Sequence, residues 1–375
     1  MTRLVLAAAL PFLASAAEPL RLVAPLDGAT VPLLSGEQKA FLDLPREERA
    51  ARFADPAFRE TMRSYGWHPQ AVRLEWSGAP ANGARPLYTV EVRRLPDGRP
   101  VFRADTTLRF ASDDNLEIAR DYDWTVWQRA AGVPDASATG SFRTEDRAPR
   151  LLRVHAIPNI RDVGGRTGLG GRRVRQGLVF RSAGLNENAS DEDPATGSRS
   201  PGATRIDDDN RACLLDTLGI RTDIDLRSDG ECFGMEGSPL GPSVAWHHVE
   251  TWAYQGYQDE WCRDQVGRIL RVFLDPASYP IVFHCISGAD RTGSLAFLLG
   301  ALLGVDDEEL RRDWEATGFW STEPRFNHAE RFDRLVAGFD RWPGATIRER
   351  AEAYVLAAGL SRDDIAALRD LLLEP

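Results

Sequence analysis

His284-Cys285-Ile286-Ser287-Gly288-Ala289-Asp290-Arg291-Thr292-Gly293 follows the apolar run Ile281-Val282-Phe283 and precedes an apolar, helix-forming stretch at residues 294–303. A short apolar run, a polar loop and a helical stretch in that order predict a strand, a turn and a helix start. Successive backbone N–H groups at such a turn converge on one point, and the helix macrodipole adds positive potential there. The loop is therefore expected to be a nest for a phosphate. The same field stabilises the Cys285 thiolate: a thiol of free pKa about 8.5 falls toward the ~3.5–7.5 range of activated cysteines and becomes a nucleophile. Arg291 has a planar fork that binds two phosphoryl oxygens and neutralises transition-state charge, a geometry lysine cannot match. Gly288 allows close backbone approach, and Thr292 has a hydroxyl to offer the thiolate or a phosphorylated form of it. The expected phosphate-binding loop is thus Ile286, Ser287, Gly288, Ala289, Asp290, Arg291 and Thr292. The bare Cys-x5-Arg spacing carries little here, because Lys39 is the only lysine among 46 basic residues and arginine supplies the rest. The preceding His284 and the central Gly288 make the pattern specific. His284 itself reads as a buried loop organiser rather than as an acid or base.

Working outward, apolar runs at residues 178–180, 222–226, 245–249 and 281–283 alternate with helical stretches at 208–218, 265–274 and 294–303. Strands interleaved with helices predict an α/β layer with a central, mainly parallel sheet flanked by helices. Residues 186–205 are rich in Asp, Ser, Gly and Pro and read as a mobile loop whose acidic side chains are solvated. Residues 164–171 are glycine-rich but lack the Gly-Lys-Ser/Thr end of a nucleotide loop, so they read as a hairpin. His247 and His248 are adjacent on an expected strand, point to opposite faces and cannot jointly chelate one ion. No metal and no other cofactor is expected.

Upstream the pattern changes. Alternating runs at residues 20–24, 71–76, 88–92, 101–110, 122–129 and 138–143, with a Pro96-Asp97-Gly98 turn, predict an antiparallel β-sandwich. A helical stretch at about 37–65, anchored by Phe41, Leu44, Phe53 and Phe58, reads as an insertion in it. Residues 144–149 form a polar linker closed by Pro149. Arg3, the apolar run 4–13 and Ala14-Ser15-Ala16 read as a signal peptide over residues 1–17, placing the mature chain in the periplasm or outside the cell. The expected units are therefore 1–17, 18–147 and 148–375.

A length of 375 residues suits two domains, and 43% hydrophobic with 27% charged residues is a globular composition. A formal charge of −10 argues against a nucleic-acid footprint, so an anionic substrate must meet a local positive site. No apolar run after the leader reaches the ~20 residues of a membrane helix. Of the four cysteines, Cys213 reads as part of a buried helix face, while Cys232 and Cys262 lie in loop-like segments and are candidates for one disulfide.

The loop resembles the signature loop of the cysteine-dependent protein tyrosine phosphatase superfamily. Asn159-Ile160-Arg161-Asp162-Val163-Gly164-Gly165, residues 173–182 and residues 218–228 look like the atypical bacterial tyrosine/lipid phosphatase branch. Residues 355–373, with Gly359-Leu360-Ser361, are similar to that branch's C-terminal helices, so the likeness covers roughly residues 150–375. It implies that Cys285 attacks phosphorus, that a phosphocysteine forms and that water hydrolyses it without a metal. The Trp-Pro-Asp loop of ordinary tyrosine phosphatases is absent. Asp290 is the leading candidate acid, by resemblance to loops with an Asp-Arg pair such as those of myotubularins, with a structural carboxylate braced by an arginine as the alternative. Asp225 is the second candidate and Asp259 the third. Related bacterial members carry lysine where this chain has Ala289, which weakens the case for polyphosphorylated lipids unless Arg161, Arg181 or Arg227 substitutes. Arg161 and Asp162 read equally as a salt-bridged turn beneath the site or as substrate contacts, and Arg227 likewise. The implied partner is a phosphorylated protein, phosphotyrosine-type and possibly dual-specificity in range, or a small phosphomonoester. A phosphoinositide or inositol-phosphate phosphatase is the second reading, and an inactive phosphate-binding module the third. Residues 18–147 resemble fibronectin type III or immunoglobulin-like domains, with Trp76, Tyr88, Tyr122, Trp124 and Val126 as core and a partner that the sequence does not name.

Overall fold

In the computed structural model, residues 18–62, 67–79, 84–194, 196–320 and 328–375 are described. The expected signal peptide lies outside them. The chain divides into two units: one comprises residues up to Pro32 with Ala71–Leu116 and Arg120–Glu145, the other Leu33–Gln70, Glu117–Ala119 and Asp146–Pro375.

Period-two alternation builds the first unit. Along β7 (Asp121–Arg129) Tyr122, Trp124, Val126 and Gln128 are buried while their neighbours are not. Together with β2 (Ala29–Val31), β4 (Leu87–Arg94), β5 (Arg99–Thr106) and β8 (Ala136–Thr144), it forms a sheet of order β2-β8-β7-β4-β5. A second sheet has the order β1-β3-β6, from β1 (Glu18–Ala24), β3 (Val72–Ala79) and β6 (Phe110–Asp113). Trp76 of one sheet meets Tyr88 of the other with ring centroids 5.2 Å apart. The expected strand over 101–110 is broken: the Leu108 amide bonds back to Thr106 Oγ1, and β6 then pairs with β3 instead of continuing beside β4. β2 also pairs with β8 in parallel, which an antiparallel arrangement did not anticipate.

The helical stretch belongs to the second unit, a correction to the expected 18–147 domain. Helices α1 (Gly36–Asp43), α2 (Arg46–Arg52) and α3 (Pro56–Thr61) carry Phe41, Leu42 and Phe58, and their apolar face is completed by Leu151, Ala316 and Phe319. Arg49 is buried between Glu315 at 2.5 Å and Glu308 at 2.7 Å.

The second unit's sheet has the order β12-β11-β13-β10-β9, from β9 (Arg161–Asp162), β10 (Val179–Ser182), β11 (Thr222–Asp225), β12 (Ala245–His248) and β13 (Ile281–His284). All neighbours are parallel except β9 and β10. The central β13 is buried along its whole length, as a parallel strand covered on both faces must be. Around it lie α4 (Asp208–Ala212), α5 (Glu260–Phe273), α6 (Asp290–Leu302), α7 (Asp307–Glu315), α8 (His328–Gly338), α9 (Ile347–Ala357) and α10 (Arg362–Leu372). From Thr292 to Leu302 every α6 residue is buried, which marks it as the core helix. α6 begins at Asp290, earlier than its apolar run suggested, because the loop flows straight into the helix. No helix among the described residues is long and apolar enough to cross a membrane.

Residues 186–194 pair back onto residues 196–205, with the Glu187 amide on Ala203 O (2.8 Å) and the Ser190 amide on Ser200 O (2.9 Å). The expected hairpin at 164–171 is present, closed by Gly165 and Val174. The expected Cys232–Cys262 bridge is not: all four cysteines are free. The Cys232 thiol donates to Asp225 at 3.3 Å, and Cys262 Sγ accepts the Trp252 amide at 3.3 Å, so each sulfur already has a separate polar partner. Cys213 is only half-buried, and Leu214 takes the core position beside it.

Candidate active site

A loop whose N–H groups face inward must turn its carbonyls outward, and each outward carbonyl needs a donor. The loop between β13 and α6 meets that requirement residue by residue. Cys285 O faces His284 Nδ1 at 3.3 Å, and Ile286 O accepts the Gly184 amide at 3.0 Å. Ser287 O accepts Asn159 Nδ2 at 3.0 Å, and Gly288 O accepts Arg181 Nη2 at 2.7 Å. The N–H groups of Ile286, Ser287, Gly288 and Ala289 have no acceptor among the described residues. The N-cap of α6 is Ala289, which supplies no side-chain cap, so the helix's positive end is open to an anion. Gly288 sits at φ +65°, and a Cβ there would lie 2.5 Å from the Ser182 carbonyl, so only glycine fits.

Cys285 lies at the floor of this loop, 3% exposed, while Ile286, Ser287, Asp290 and Arg291 are half-buried at its mouth. Arg291 Nη1 and Nη2 grip Glu231 at 2.7 and 3.1 Å, and Nη1 also lies 3.5 Å from Leu226 O. That leaves the Nε–H and one Nη2–H, a side-on fork suited to two phosphoryl oxygens. Burial works against the Arg291 charge, but Glu231 and the Cys285 sulfur hold its pKa above the ordinary value. Glu231 is held below its own, since Arg291 and the Ser228 amide outweigh its burial.

Beneath the loop the sequence-predicted charged residues are all engaged. Asp225 is fully buried, with Arg227 Nη2 at 2.6 Å and Nε at 2.9 Å. Burial would raise its pKa, yet the charges of His284 and Arg227 hold it far below the carboxylate range. A carboxyl that stays ionised has no proton to give, so the second candidate acid is withdrawn. Arg227 also bonds Asn186 Oδ1 at 2.7 Å. Arg161 and Arg181 are buried on Asp313 of α7, at 3.0 and 2.6 Å. Asp162 is buried on Arg150 at 2.8 Å and accepts the Gly164 and Gly177 amides. Arg161, Arg181 and Arg227 therefore do not replace the cation missing at Ala289, and Arg161 and Asp162 form salt-bridged turns with separate partners. His284 is fully buried, with Nε2 3.0 Å from Asp223 Oδ1.

A profile described as "Tyrosine phosphatase family" matches residues 152–197 and 194–374. The chain belongs to that family. A Cupriavidus necator protein named "Putative tyrosine-protein phosphatase H16_A0669" is 30% identical over 214 residues, covering 49% of this chain and 70% of that protein. Among solved structures, the core catalytic domain of the PP-IP phosphatase SIW14 from S. cerevisiae, in complex with citrate, matches with 16% identity and a TM-score of 0.24. That match covers 42% of this chain and 89% of SIW14's. The protein is thus a metal-independent phosphatase of the cysteine-dependent protein tyrosine phosphatase superfamily, and its α/β unit is the phosphatase domain.

In this phosphatase the leading candidate acid, Asp290, is the first residue of α6. Its Oδ1 accepts the Tyr254 hydroxyl and Arg331 Nη1, the latter at 2.9 Å. Tyr254 holds φ +55°, a conformation bulky residues rarely adopt, and its ring lies under the Arg331 guanidinium. Asp259, the third candidate, caps α5 through the Trp261 amide at 3.0 Å. Thr292 is buried, and its hydroxyl has no hydrogen-bond partner among the described residues. Sequence reasoning missed Glu231, Tyr254, Arg331 and Asp313. Only Glu231 carried a signal, the Ser228-x-x-Glu231 spacing in which a carboxylate reaches back to the serine amide, here at 2.7 Å.

Proposed function

We propose that this phosphatase is an exported phosphomonoester hydrolase acting on phosphotyrosine-type protein substrates, dual-specificity included, through a phosphocysteine intermediate. The observation that carries the reading is the polarity of the loop: four carbonyls tied outward and four amides left open, beside a thiol and a guanidinium. Cys285 Sγ bonds to phosphorus as the P–O bond to the leaving group breaks, and Asp290 delivers a proton to the departing oxygen. Water then displaces Sγ, returning its proton to Asp290 and releasing inorganic phosphate. The inward amides and Arg291 hold the three non-bridging oxygens throughout. With Ala289 neutral and Arg161, Arg181 and Arg227 tied to buried carboxylates, the loop suits a single phosphoryl group better than a polyphosphorylated ring. Export rests on Arg3, residues 4–13 and Ala14-Ser15-Ala16. The Trp76–Tyr88 contact supports a fibronectin type III-like sandwich in the first unit.

The test is hydrolysis of aryl phosphates and phosphotyrosine peptides by the purified protein, with Cys285→Ser and Arg291→Ala as controls. Both variants are expected to lose turnover, and rapid quenching should recover phosphate bonded to sulfur. Asp290→Asn should slow poor leaving groups more than good ones, by up to about 10²–10⁴. Turnover surviving Cys285→Ser would overturn the mechanism, and a preference for phosphoinositides would overturn the substrate class.

A further inference from the structure

We infer that Asp313 is a positioning residue for the phosphate loop, one carboxylate through which two of the four outward carbonyls are held. The inference rests on the proposed role of that loop in binding the phosphoryl group. Asp313, on α7 and 13% exposed, accepts Arg161 Nε at 3.0 Å and Arg166 Nη2 at 2.8 Å on Oδ1, and Arg181 Nη1 at 2.6 Å on Oδ2. All three guanidiniums are buried. Without the carboxylate they would repel one another in a low-dielectric interior.

Two of the three reach onward to the loop. Arg181 Nη2 donates to Gly288 O at 2.7 Å. Arg161 Nη1 donates to Asn159 Oδ1, which fixes the amide so that Nδ2 donates to Ser287 O at 3.0 Å. Asn159 adopts φ +58°, a left-handed conformation that asparagine tolerates. Release of either carbonyl lets a peptide flip, which removes one inward N–H and turns an oxygen toward the phosphate. The hub is also anchored to the loop's own helix. Trp314, next to Asp313, packs so closely on Gly293 of α6 that a Cβ there would lie 2.6 Å from its ring. Burial and the Arg161 charge push the Arg181 pKa down to about 9, so it still carries its charge at neutral pH.

Charge and positioning make opposite predictions for Asp313→Asn. Neutralising the carboxylate adds positive potential beneath the loop, which by charge alone tightens phosphate binding. Loss of positioning weakens it. The experiment measures inorganic phosphate binding by calorimetry in a Cys285→Ser parent, and steady-state kinetics with an aryl phosphate in the Cys285 protein. Asp313→Asn is expected to weaken phosphate binding about tenfold or more, the worth of a charge-assisted hydrogen bond, and to raise KM as well as lower kcat. Asn159→Ala, which keeps Asp313 and all three of its arginines, should weaken binding by a similar factor; its unfolding midpoint falls modestly, because φ +58° disfavours alanine and Arg161 Nη1 loses an acceptor, so binding is compared at a temperature where the variant is folded. It decides the matter if Asp313→Asn does not fold. Phosphate binding as tight or tighter in folded Asp313→Asn, or unchanged in Asn159→Ala, overturns the inference. A Cys285→Ser parent that binds no phosphate overturns the functional reading itself, and this inference with it.

Discussion

His284 makes the stability of the phosphatase unit depend on pH in a definite direction. Its imidazole is fully buried, with Nε2 3.0 Å from Asp223 Oδ1 and Nδ1 3.8 Å from Asp225 Oδ1. Burial opposes the charge, but the two carboxylates outweigh it and push the pKa from 6.5 up to about 8. The folded state therefore binds the proton more tightly than the unfolded chain. The stabilisation is fully present below about 6.5 and is lost as pH rises through about 8. The interval converts to about 2 kcal/mol, with a steepest slope of about 1 kcal/mol per pH unit near pH 7. His68 is displaced the other way, down to about 4 by burial and by the Arg153 charge, so its contribution falls below 6.5, outside the window of His284. The assay is urea unfolding from pH 5.5 to 9, followed by a probe within the phosphatase unit, on the parent and His284→Asn. Nitrogen-15 NMR of the six histidines reads the titration directly. A His284 resonance titrating at or below 6.5, or an equal slope in His284→Asn, refutes the reasoning.

Glu231→Gln removes the charge that orients Arg291 while keeping the shape, and steady-state kinetics should show kcat/KM falling about 10–100-fold. Gly288→Ala places a Cβ 2.5 Å from the Ser182 carbonyl at φ +65°, so calorimetry in the Cys285→Ser background should show phosphate affinity lost, not merely reduced. Arg49→Met leaves Glu315 buried without its 2.5 Å partner, and chemical unfolding should report a loss of about 3–5 kcal/mol.

The phosphatase unit was legible because its signals are local. A short apolar strand, a glycine-bearing loop and an apolar helix adjoin in sequence, so the strand–loop–helix junction and its thiol can be read without knowing what surrounds them. Four of the five sheet strands were legible to within a residue or two for the same reason, whereas the two-residue β9 is too short to show a pattern. What failed to read was partner choice. The helical stretch at 37–65 is amphipathic, but nothing local says that its apolar face is finished by Leu151 and Phe319, far along the chain. Asp225 looked like a candidate acid because an aspartate at a strand end is common to acids and to buried ion pairs. Only the Arg227 contacts distinguish the two. Glu231 lies 60 residues from Arg291, Tyr254 and Arg331 lie 36 and 41 residues from Asp290, and Asp313 lies 132 to 152 residues from its three arginines; such pairings leave no periodic trace.

The cluster of buried ion pairs at one end of the sheet has a physical explanation in the loop. Well-packed apolar side chains would stabilise these positions as well or better, since taking charges out of water costs several kcal/mol per ion. The pairs nonetheless crowd around β10, β11 and β13 where those strands end at the loop: Arg181, Asp225 with Arg227, and His284 with Asp223. A phosphate nest needs outward donors for its carbonyls at fixed positions, and apolar groups supply none. Rigid guanidinium forks and imidazoles do, but each needs a carboxylate to orient it and balance its charge. On this reasoning the buried charges follow from the polarity of the loop, and stability has been traded for a set of amides that already point inward when the phosphoryl group arrives.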